Sequence, residues 1–328
     1  ALNTSTTSNG EFLIGNSTAS DNSSVLVDNA SIIHGGNGRF VVGDDSNGVA
    51  SSLTIQNGGS VSAVGSIFFV ADQASSTGTL TLDGDGSTLT VGRMLMGDNG
   101  AGTATISGGA DLIVTDAGGN TGFLEVSAFG GGSGTMTVTG PGSTVTTSHY
   151  ISVGDEGNAN GTLDILDGAT VSTSNHAYIA RVSSSSTGEI NVQDLNTGDG
   201  SSGSTLNVGG NLYLSGNASG GGGDATLNVN DGGTVNVTGL LKLWDDGKVN
   251  LNGGTINVAT FDLEDPPEAP TPDFTFTSGT LRYTAGATLN SETLDDLLGP
   301  GVPTLSANKN LVVTDEAVLN APVRLNGG

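Results

Sequence analysis

A short stretch of alternating residues, repeated along the chain, limits the possible fold more than any other feature. Its clearest copy is GTLTLDGDGSTLTVGRMLMG at residues 78–97, in which three apolar segments are separated by Gly, Asp and Arg. Alternation with a period of two predicts β-strands that bury one face. The residues between the segments predict tight turns.

The stretch recurs at intervals of about 27 residues over most of the chain. The first strands are marked by Val25, Leu53, Leu80, Ala104, Met136, Leu163, Ile190, Leu227 and Val249. The second strands are marked by Ile32, Val61, Leu89, Leu112, Val145, Val171, Leu206, Val235 and Ile256. The third strands carry two predicted inward positions, first Phe12, Phe40, Phe68, Met94, Leu124, Ile151, Tyr178, Tyr213 and Leu241, then Ile14, Val42, Val70, Met96, Val126, Val153, Ala180, Ser215 and Leu243. Self-similarity at this period is typical of solenoids.

Three strands in each repeat, with no helical period between them, predict an all-β fold in which each repeat forms one coil of a parallel β-helix. Equivalent strands of successive coils would lie about 4.8 Å apart. About nine three-stranded coils would occupy residues 12–261. A β-propeller is the alternative, but its blades take about 40 residues or more, so the period is too short.

The two ends of the chain depart from the repeat. Residues 1–11 are polar and predict an N-terminal arm, whereas residues 262–328 predict a Pro-rich acidic loop, one short helix and capping or assembly strands. The loop is residues 262–273, and the strands are residues 310–314 and 317–325. The helix begins at Ser291 and ends before Gly299 and Pro300. Insertions at residues 193–204 and 217–224 predict exposed loops, where binding surfaces often lie.

The composition excludes several classes of function. With 33 acidic and 8 basic residues, the formal net charge of −25 repels nucleic acids and anionic lipids. No apolar stretch is long enough to span a membrane. Cysteine is absent, which excludes disulfides and thiolate chemistry and favours an exported protein. Because the chain begins with Ala1 rather than Met, we expect that an export signal has been removed.

Three copies of the repeat carry a family resemblance. GTLTLDGDGSTLTVG at residues 78–92, GTMTVTGPGSTVT at 134–146 and GTLDILDGATV at 161–171 resemble the β-helical repeat of autotransporter-type passenger proteins and PEP-CTERM-associated surface proteins of Gram-negative bacteria. Residues 311–325 resemble their closing segment. The resemblance implies a right-handed β-helix in an extracellular or bacterial cell-surface protein, and it implies no activity. We expect that the usual anchor or translocator has been removed or never existed.

A corner of the predicted coil is rich in aspartate. The residues that follow the third strands are Asn16, Asp44, Asp72, Asp98, Ala128, Asp155, Val182, Asn217 and Asp245. Stacked carboxylates repel one another unless a cation bridges them, so Asp44, Asp72, Asp98, Asp155 and Asp245 are candidate ligands of a structural Ca²⁺ ion. The alternative is that Asp and Asn are simply favoured in turns. In either case no cofactor is required.

No catalytic constellation stands out. Arg39 and Arg93 share a predicted column, but Ile67 lies between them, while His34, His149 and His176 fall in unmatched positions. Tyr178 and Tyr213 are predicted to point inwards, and Trp244 lies in another coil, so no platform for stacking sugars is expected. These observations predict a protein without enzymatic activity, with a carbohydrate-active enzyme as the catalytic alternative.

The predicted fold leaves its N-terminal coil uncovered, because only eleven residues precede it. Exposed strand edges pair with other strands unless they are protected. We therefore expect an extracellular structural protein whose partner is itself, assembled head to tail into a filament or surface layer. The alternative is an adhesin-type rod that presents a loop, residues 193–204 or 262–273, to a host ligand or a cell-surface polysaccharide.

Overall fold

The computed structural model describes residues 2–4, 10–15, 22–44, 50–116, 122–195, 203–263, 274–289, 291–298, 304–315, 317–319 and 324–326. Most of the predicted loops at 193–204 and 262–273, part of the N-terminal arm, Asn16, Gly299 and Pro300 lie outside these residues. The chain is a parallel β-solenoid of about ten coils with almost no helix. This confirms the predicted fold class and adds one coil to the expected nine.

Each coil contributes a strand to three columns of parallel strands, and coil one starts at Ser23. The first column contains Ser23–Asp28, Ala50–Gln56, Thr77–Asp83, Ala101–Ser107, Ser133–Thr139, Asn160–Leu166, Thr187–Gln193 and Asp224–Asn230. The second column contains Leu2–Thr4, Ser31–His34, Asp111–Val114, Thr144–Thr147, Thr170–Thr173, Ser204–Val208 and Lys309–Val313. The third column contains Phe12–Ile14, Phe40–Val42, Leu124–Val126, Ile151–Val153, Ala177–Ile179 and Leu212–Leu214.

Five longer strands bend at a corner and pair with neighbouring coils in more than one column. Ser60–Val70, Thr88–Met96 and Gly233–Leu243 serve the second and third columns, Gly247–Leu263 serves all three, and Phe274–Tyr283 serves the first and second. The predicted first and second columns are confirmed residue by residue, since each marker is aligned with its counterpart in the next coil. Their side chains fill one continuous apolar core.

The prediction for the third column is wrong in two coils. Ile151 is aligned with Ala177 and then with Leu212, so Tyr178 and Tyr213 occupy the outward position between inward residues. A shift of one residue moves a side chain to the opposite face of a strand. The same shift places Arg181 and Gly216, rather than Val182 and Asn217, at the corner that follows.

The C-terminal region extends the stack and adds a short helix and two short strand pairs. Phe274 aligns with Val249, which adds a tenth strand to the first column. The predicted helix is confirmed as Ser291–Leu298, and it buries Leu294 and Leu297. Short parallel pairs join Ala287–Leu289 to Ala317–Leu319, and Thr304–Ser306 to Arg324–Asn326. Within the described chain, no helix is long and apolar enough to cross a membrane.

Asparagine ladders run along the outside of the later coils. In the first column, the Nδ2 atom of Asn250 donates to Asn228, 2.8 Å away, and Asn228 donates to Asn191 at 2.7 Å. In the second column, Asn257 donates to Asn236 at 2.7 Å and Asn236 to Asn207 at 2.8 Å. Because each amide both donates and accepts, the ladders add hydrogen bonds between coils outside the backbone.

A column of glycines marks the corner where each third strand meets the next first strand. The second residue of the first-column strand is Gly78, Gly102, Gly134, Gly161 or Gly188 in coils three to seven. A Cβ atom added to Gly161, in coil six, would lie 2.4 Å from the carbonyl oxygen of Val126, at the end of the third strand of coil four. In coils three to seven the backbones approach too closely at this corner for a side chain, whereas Ser51 and Ala225 hold the aligned positions of coils two and eight.

We predict that Gly161→Ala destabilises the chain by about 1–3 kcal/mol, because the backbone has to shift to remove the clash. The matched control is Gly220→Ala, where an added Cβ meets no atom within 4 Å. Its effect is expected to stay within about 0.5 kcal/mol. Chemical denaturation followed by circular dichroism measures both, and equal stabilities would contradict the assignment of the close corner.

Candidate functional site

The outward face of the third column changes character along the rod. Its successive middle residues are Leu13, Val41, Phe69, Leu95, Glu125, Ser152, Tyr178, Tyr213, Lys242 and Asp262. Val41, Phe69 and Leu95 form a second buried apolar cluster with Ala128, separate from the main core. From Glu125 onwards, the face is charged and aromatic.

The predicted aspartates lie at the corner after the third strands. The backbone amides of Asp72, Asp98 and Asp155 donate to the corner carbonyls of Gly43, Ala71 and Ser127, at 3.0–3.1 Å. Asp44 makes the equivalent bond to Gly15 at 3.3 Å. Asp245 follows the third strand of coil eight and is exposed. The structure therefore places four of the five aspartates in one hydrogen-bonded row.

Arginine side chains approach this row of acids from the neighbouring strands. Arg39 is aligned with Ile67 and Arg93, which confirms the predicted column. Its guanidinium bonds to Asp72 and to Glu11, and lies 3.6 Å from Asp44. Arg39 therefore neutralises charge at the first two corner aspartates.

A second group of charges surrounds Glu125, and we call it the Glu125 cluster. Arg93 donates to Glu125 at 3.1 Å, and the Tyr150 hydroxyl donates to the other carboxylate oxygen at 2.7 Å. Arg181, at the corner of coil six, pairs with Asp155 at 3.1 Å. Both carboxylates are only 2% exposed. Buried carboxylates require such partners, because an uncompensated buried charge is strongly destabilising.

Burial shifts the ionisation of the corner acids. Burial raises the pKa of Asp98 to about 6, and the Asp72 and Glu125 carboxylates add to the rise. Burial also raises the pKa of Asp155, although Arg181 opposes the change. The pKa of the Tyr150 hydroxyl is raised by burial and by the carboxylate of Glu125. The corner therefore holds protons more tightly than exposed carboxylates do.

Aromatic side chains form a row beside the Glu125 cluster. Phe123 stacks on Tyr150 with ring centroids 4.7 Å apart, Tyr150 meets Tyr178 edge to face at 5.7 Å, and Tyr178 stacks on Tyr213 at 5.5 Å. The Arg93 guanidinium lies 3.9 Å above the Phe123 ring, and Arg181 lies about 5 Å from the rings of Tyr150 and Tyr178. We call Phe123, Tyr150, Tyr178 and Tyr213 the aromatic row.

His149 and His176 occupy unmatched positions of their coils, as predicted, but both border the aromatic row. His149 contacts Tyr150, and His176 contacts both Tyr178 and Tyr213. Burial and the neighbouring His149 lower the pKa of His176. His34 lies elsewhere, buried in the second column beside Phe40. Tyr150 and Tyr178 are half-buried, whereas Phe123 and Tyr213 are buried, so Tyr150 and Tyr178 are the rings of the row that reach the surface.

The predicted Ca²⁺ ligands do not converge on one point. Within the part of the chain that the structure describes, no group of three or more His, Asp or Glu residues is placed to hold a metal ion. At Asp44, Asp72 and Asp155 an arginine supplies the positive charge. Calcium binding at the corner stays a prediction.

Sequence reasoning missed Arg181 of the Glu125 cluster and the tyrosines of the aromatic row for one reason. Their placement depends on the register of coil six, where the third strand is Ala-Tyr-Ile. The neighbouring strand of coil five, Ile151–Val153, places its larger apolar residues at both ends, and this pattern fits Ala177 and Ile179 better than Tyr178. Aligning the strands by this pattern would have placed the tyrosines outside and Arg181 at the corner.

Comparisons with known proteins add little. No family model matches the chain, and no curated protein matches it. One solved structure, a TibC-catalysed hyper-glycosylated TibA fragment covering its residues 55–350, is similar to 99% of this chain and 97% of its own length, at 17% identity and a TM-score of 0.20. A likeness at this TM-score supports no argument about function.

We predict that Asp98→Asn stabilises the chain at high pH. The folded pKa of about 6 exceeds the ordinary value of 3.8, so this carboxyl favours folding fully below pH 3.8, and the contribution is lost as the pH rises through 6. Melting temperatures at pH 4 and pH 8 measure the effect. The variant is expected to melt higher than the natural chain at pH 8 and to approach it at pH 4.

The matched control is Asp85→Asn, which changes an exposed carboxylate in a turn of coil three. Its stability is expected to stay within about 0.5 kcal/mol of the natural chain at both pH values. A stabilisation by Asp98→Asn that does not depend on pH would contradict the assignment of the raised pKa.

Proposed function

We propose that the protein is a non-enzymatic extracellular rod that assembles head to tail into a filament or surface layer. The observation that carries the proposal is that, among the described residues, strand edges at both ends of the solenoid have no partner strand. A contact between two different ends does not close on itself, so it produces a filament.

The N-terminal end is covered in one column. Leu2–Thr4 pairs with Ile32–His34 in the second column. Among the described residues, no strand pairs with the outer edges of Phe12–Ile14 and Ser23–Asp28. Phe12 is half-buried at the open end of a phenylalanine stack, with its ring 4.5 Å from that of Phe40. Another apolar side chain could continue this stack.

The C-terminal end is open in the second column. Lys309–Val313 pairs with Gly279–Tyr283, and no described strand pairs with its outer edge. Leu311 and Val313 are half-buried against the core. Strand addition between two such edges supplies main-chain hydrogen bonds and covers the apolar ends.

The net charge of −25 opposes this assembly. Salt screens exposed charges over distances of about 8 Å at physiological ionic strength, so assembly is favoured at higher salt. A divalent cation at the corner aspartates would act in the same direction. The proposed location outside the cell is consistent with the absence of cysteine.

The test is a substitution that blocks only the open edge. The amide of Phe12 donates to Arg39, and the carbonyl of Ile14 accepts from Gly43. Because alternate residues of a parallel strand bond to opposite neighbours, the Leu13 amide points to the open side. We predict that Leu13→Pro abolishes filaments in electron micrographs while the circular dichroism spectrum stays unchanged.

Mixing the Leu13→Pro chain with natural chain tests whether the rods assemble head to tail. The Leu13→Pro chain keeps a natural C-terminal end, so it can add to a filament and then stop growth. Small amounts mixed with natural chain are expected to shorten the filaments. Isolated rods of natural chain, at both low and high salt and with or without Ca²⁺, would contradict the proposal.

The aromatic row favours a second candidate, an adhesin-type rod with a glycan ligand. Tyrosine and histidine side chains combine apolar rings with hydrogen-bonding groups. The outward register of Tyr178 leaves its ring half-buried beside Tyr150 on the side of the rod, where the sequence predicted no platform for stacking sugars. This candidate places the ligand on the side of the rod rather than on a loop.

The adhesin candidate predicts that Tyr178→Ala removes binding to neutral oligosaccharides on a glycan array and leaves filaments unchanged. Tyr178→Phe, which keeps the ring and loses only the hydroxyl, is the matched variant and is expected to retain part of the binding. Absence of glycan binding by the natural chain would exclude this candidate, and filament assembly would then be the remaining proposed function.

A further inference from the structure

A lattice of hydroxyl groups covers the outward face of the first column in coils two to six. We call it the hydroxyl lattice, and its members are Ser52, Thr54, Thr79, Thr81, Thr103, Thr105, Thr135, Thr137 and Thr162. Each coil from two to five supplies two of these residues, separated by one inward residue. No β-bulge interrupts the register between these strands.

The hydroxyl lattice is uncharged although the chain carries a net charge of −25. Asp164 replaces the second threonine in coil six, and Glu189 occupies the first position in coil seven, so acidic residues end the lattice. Asp164 lies beside Thr137, and Asp83 ends the strand that carries Thr79 and Thr81, so both acids are at the border of the lattice. A face that excludes charge from an acidic protein does not suit an ionic ligand.

All nine residues of the hydroxyl lattice are exposed or half-buried. The Thr103 hydroxyl donates to the Thr79 hydroxyl at 3.2 Å, which links successive coils on the outer surface. None of the nine is aromatic, so the face lacks the rings that pack against sugars. It offers methyl groups and hydroxyl groups alone, in a regular array.

The spacing of this array from coil to coil is close to a spacing of ordered water. Strands lie about 4.8 Å apart, and alternate residues about 6.7 Å apart along a strand. Water oxygens joined tetrahedrally by hydrogen bonds of about 2.75 Å place their second neighbours about 4.5 Å apart. Methyl groups restrict the orientation of first-shell water, and hydroxyl groups can bind that water directly.

We propose that the hydroxyl lattice binds the surface of ice. Water held on the threonine rows would merge with the crystal, and the rigid backbone ladder would keep the rows in register. The proposal is independent of head-to-tail assembly, because the lattice lies on the side of the rod and not at its ends.

The test uses the purified full chain in nanolitre osmometry and an ice-recrystallisation assay. The natural chain is expected to show thermal hysteresis and to keep ice grains small. Thr103→Tyr with Thr135→Tyr puts two large rings in the middle of the lattice and is expected to abolish both effects. The matched control is Thr146→Tyr, at an exposed outward position of the second column, which is expected to keep full activity.

Two results would overturn the proposal. One is natural chain that leaves ice growth unchanged at any concentration tested. The other is ice activity that survives the double substitution in a chain whose circular dichroism spectrum shows it to be folded. If the first result is accompanied by binding to crystalline cellulose or chitin that the double variant loses, the lattice is a polysaccharide site instead.

Discussion

The parallel pairing of each coil with its neighbours is the interaction on which the whole structure depends. A coil of about 27 residues buries too few side chains to offset the entropy of ordering its backbone, which costs about 1–2 kcal/mol per residue. Stacking supplies the missing hydrogen bonds and apolar contacts, so stability is shared along the rod. The glycines at the corner favour this stacking because they let the backbones of neighbouring coils approach closely. The asparagine ladders favour it because they add side-chain hydrogen bonds between coils.

The outside of the rod shows how one repeated backbone can present different chemistry. In register, the same outward position is threonine in the early coils of the first column and asparagine in the later ones. On the third column, Leu95 gives way to Glu125 and then to Tyr178. Because the inward residues fix the fold, outward residues are free to vary. Function is therefore to be sought in the outward columns and at the ends.

The inward columns could be predicted from the sequence, because alternation and turn residues define them directly. Leu53, Leu80 and Ala104 were placed in one column by spacing alone, and the structure confirms it. Clusters that join several coils were harder to predict. Glu125 and Tyr150 belong to neighbouring coils, and nothing in the local sequence shows that their side chains meet. A shift of one residue at Tyr178 was enough to hide the aromatic row.

Hydrogen exchange tests the central claim, that each coil is stabilised by its neighbours, most directly. Mass spectrometry of the unassembled chain would follow exchange in peptides from every coil. Exchange is expected to be slowest in coils four to seven and faster towards both ends, where a coil has one neighbouring coil instead of two. Equal protection in all coils, or the strongest protection in coil one, would contradict it.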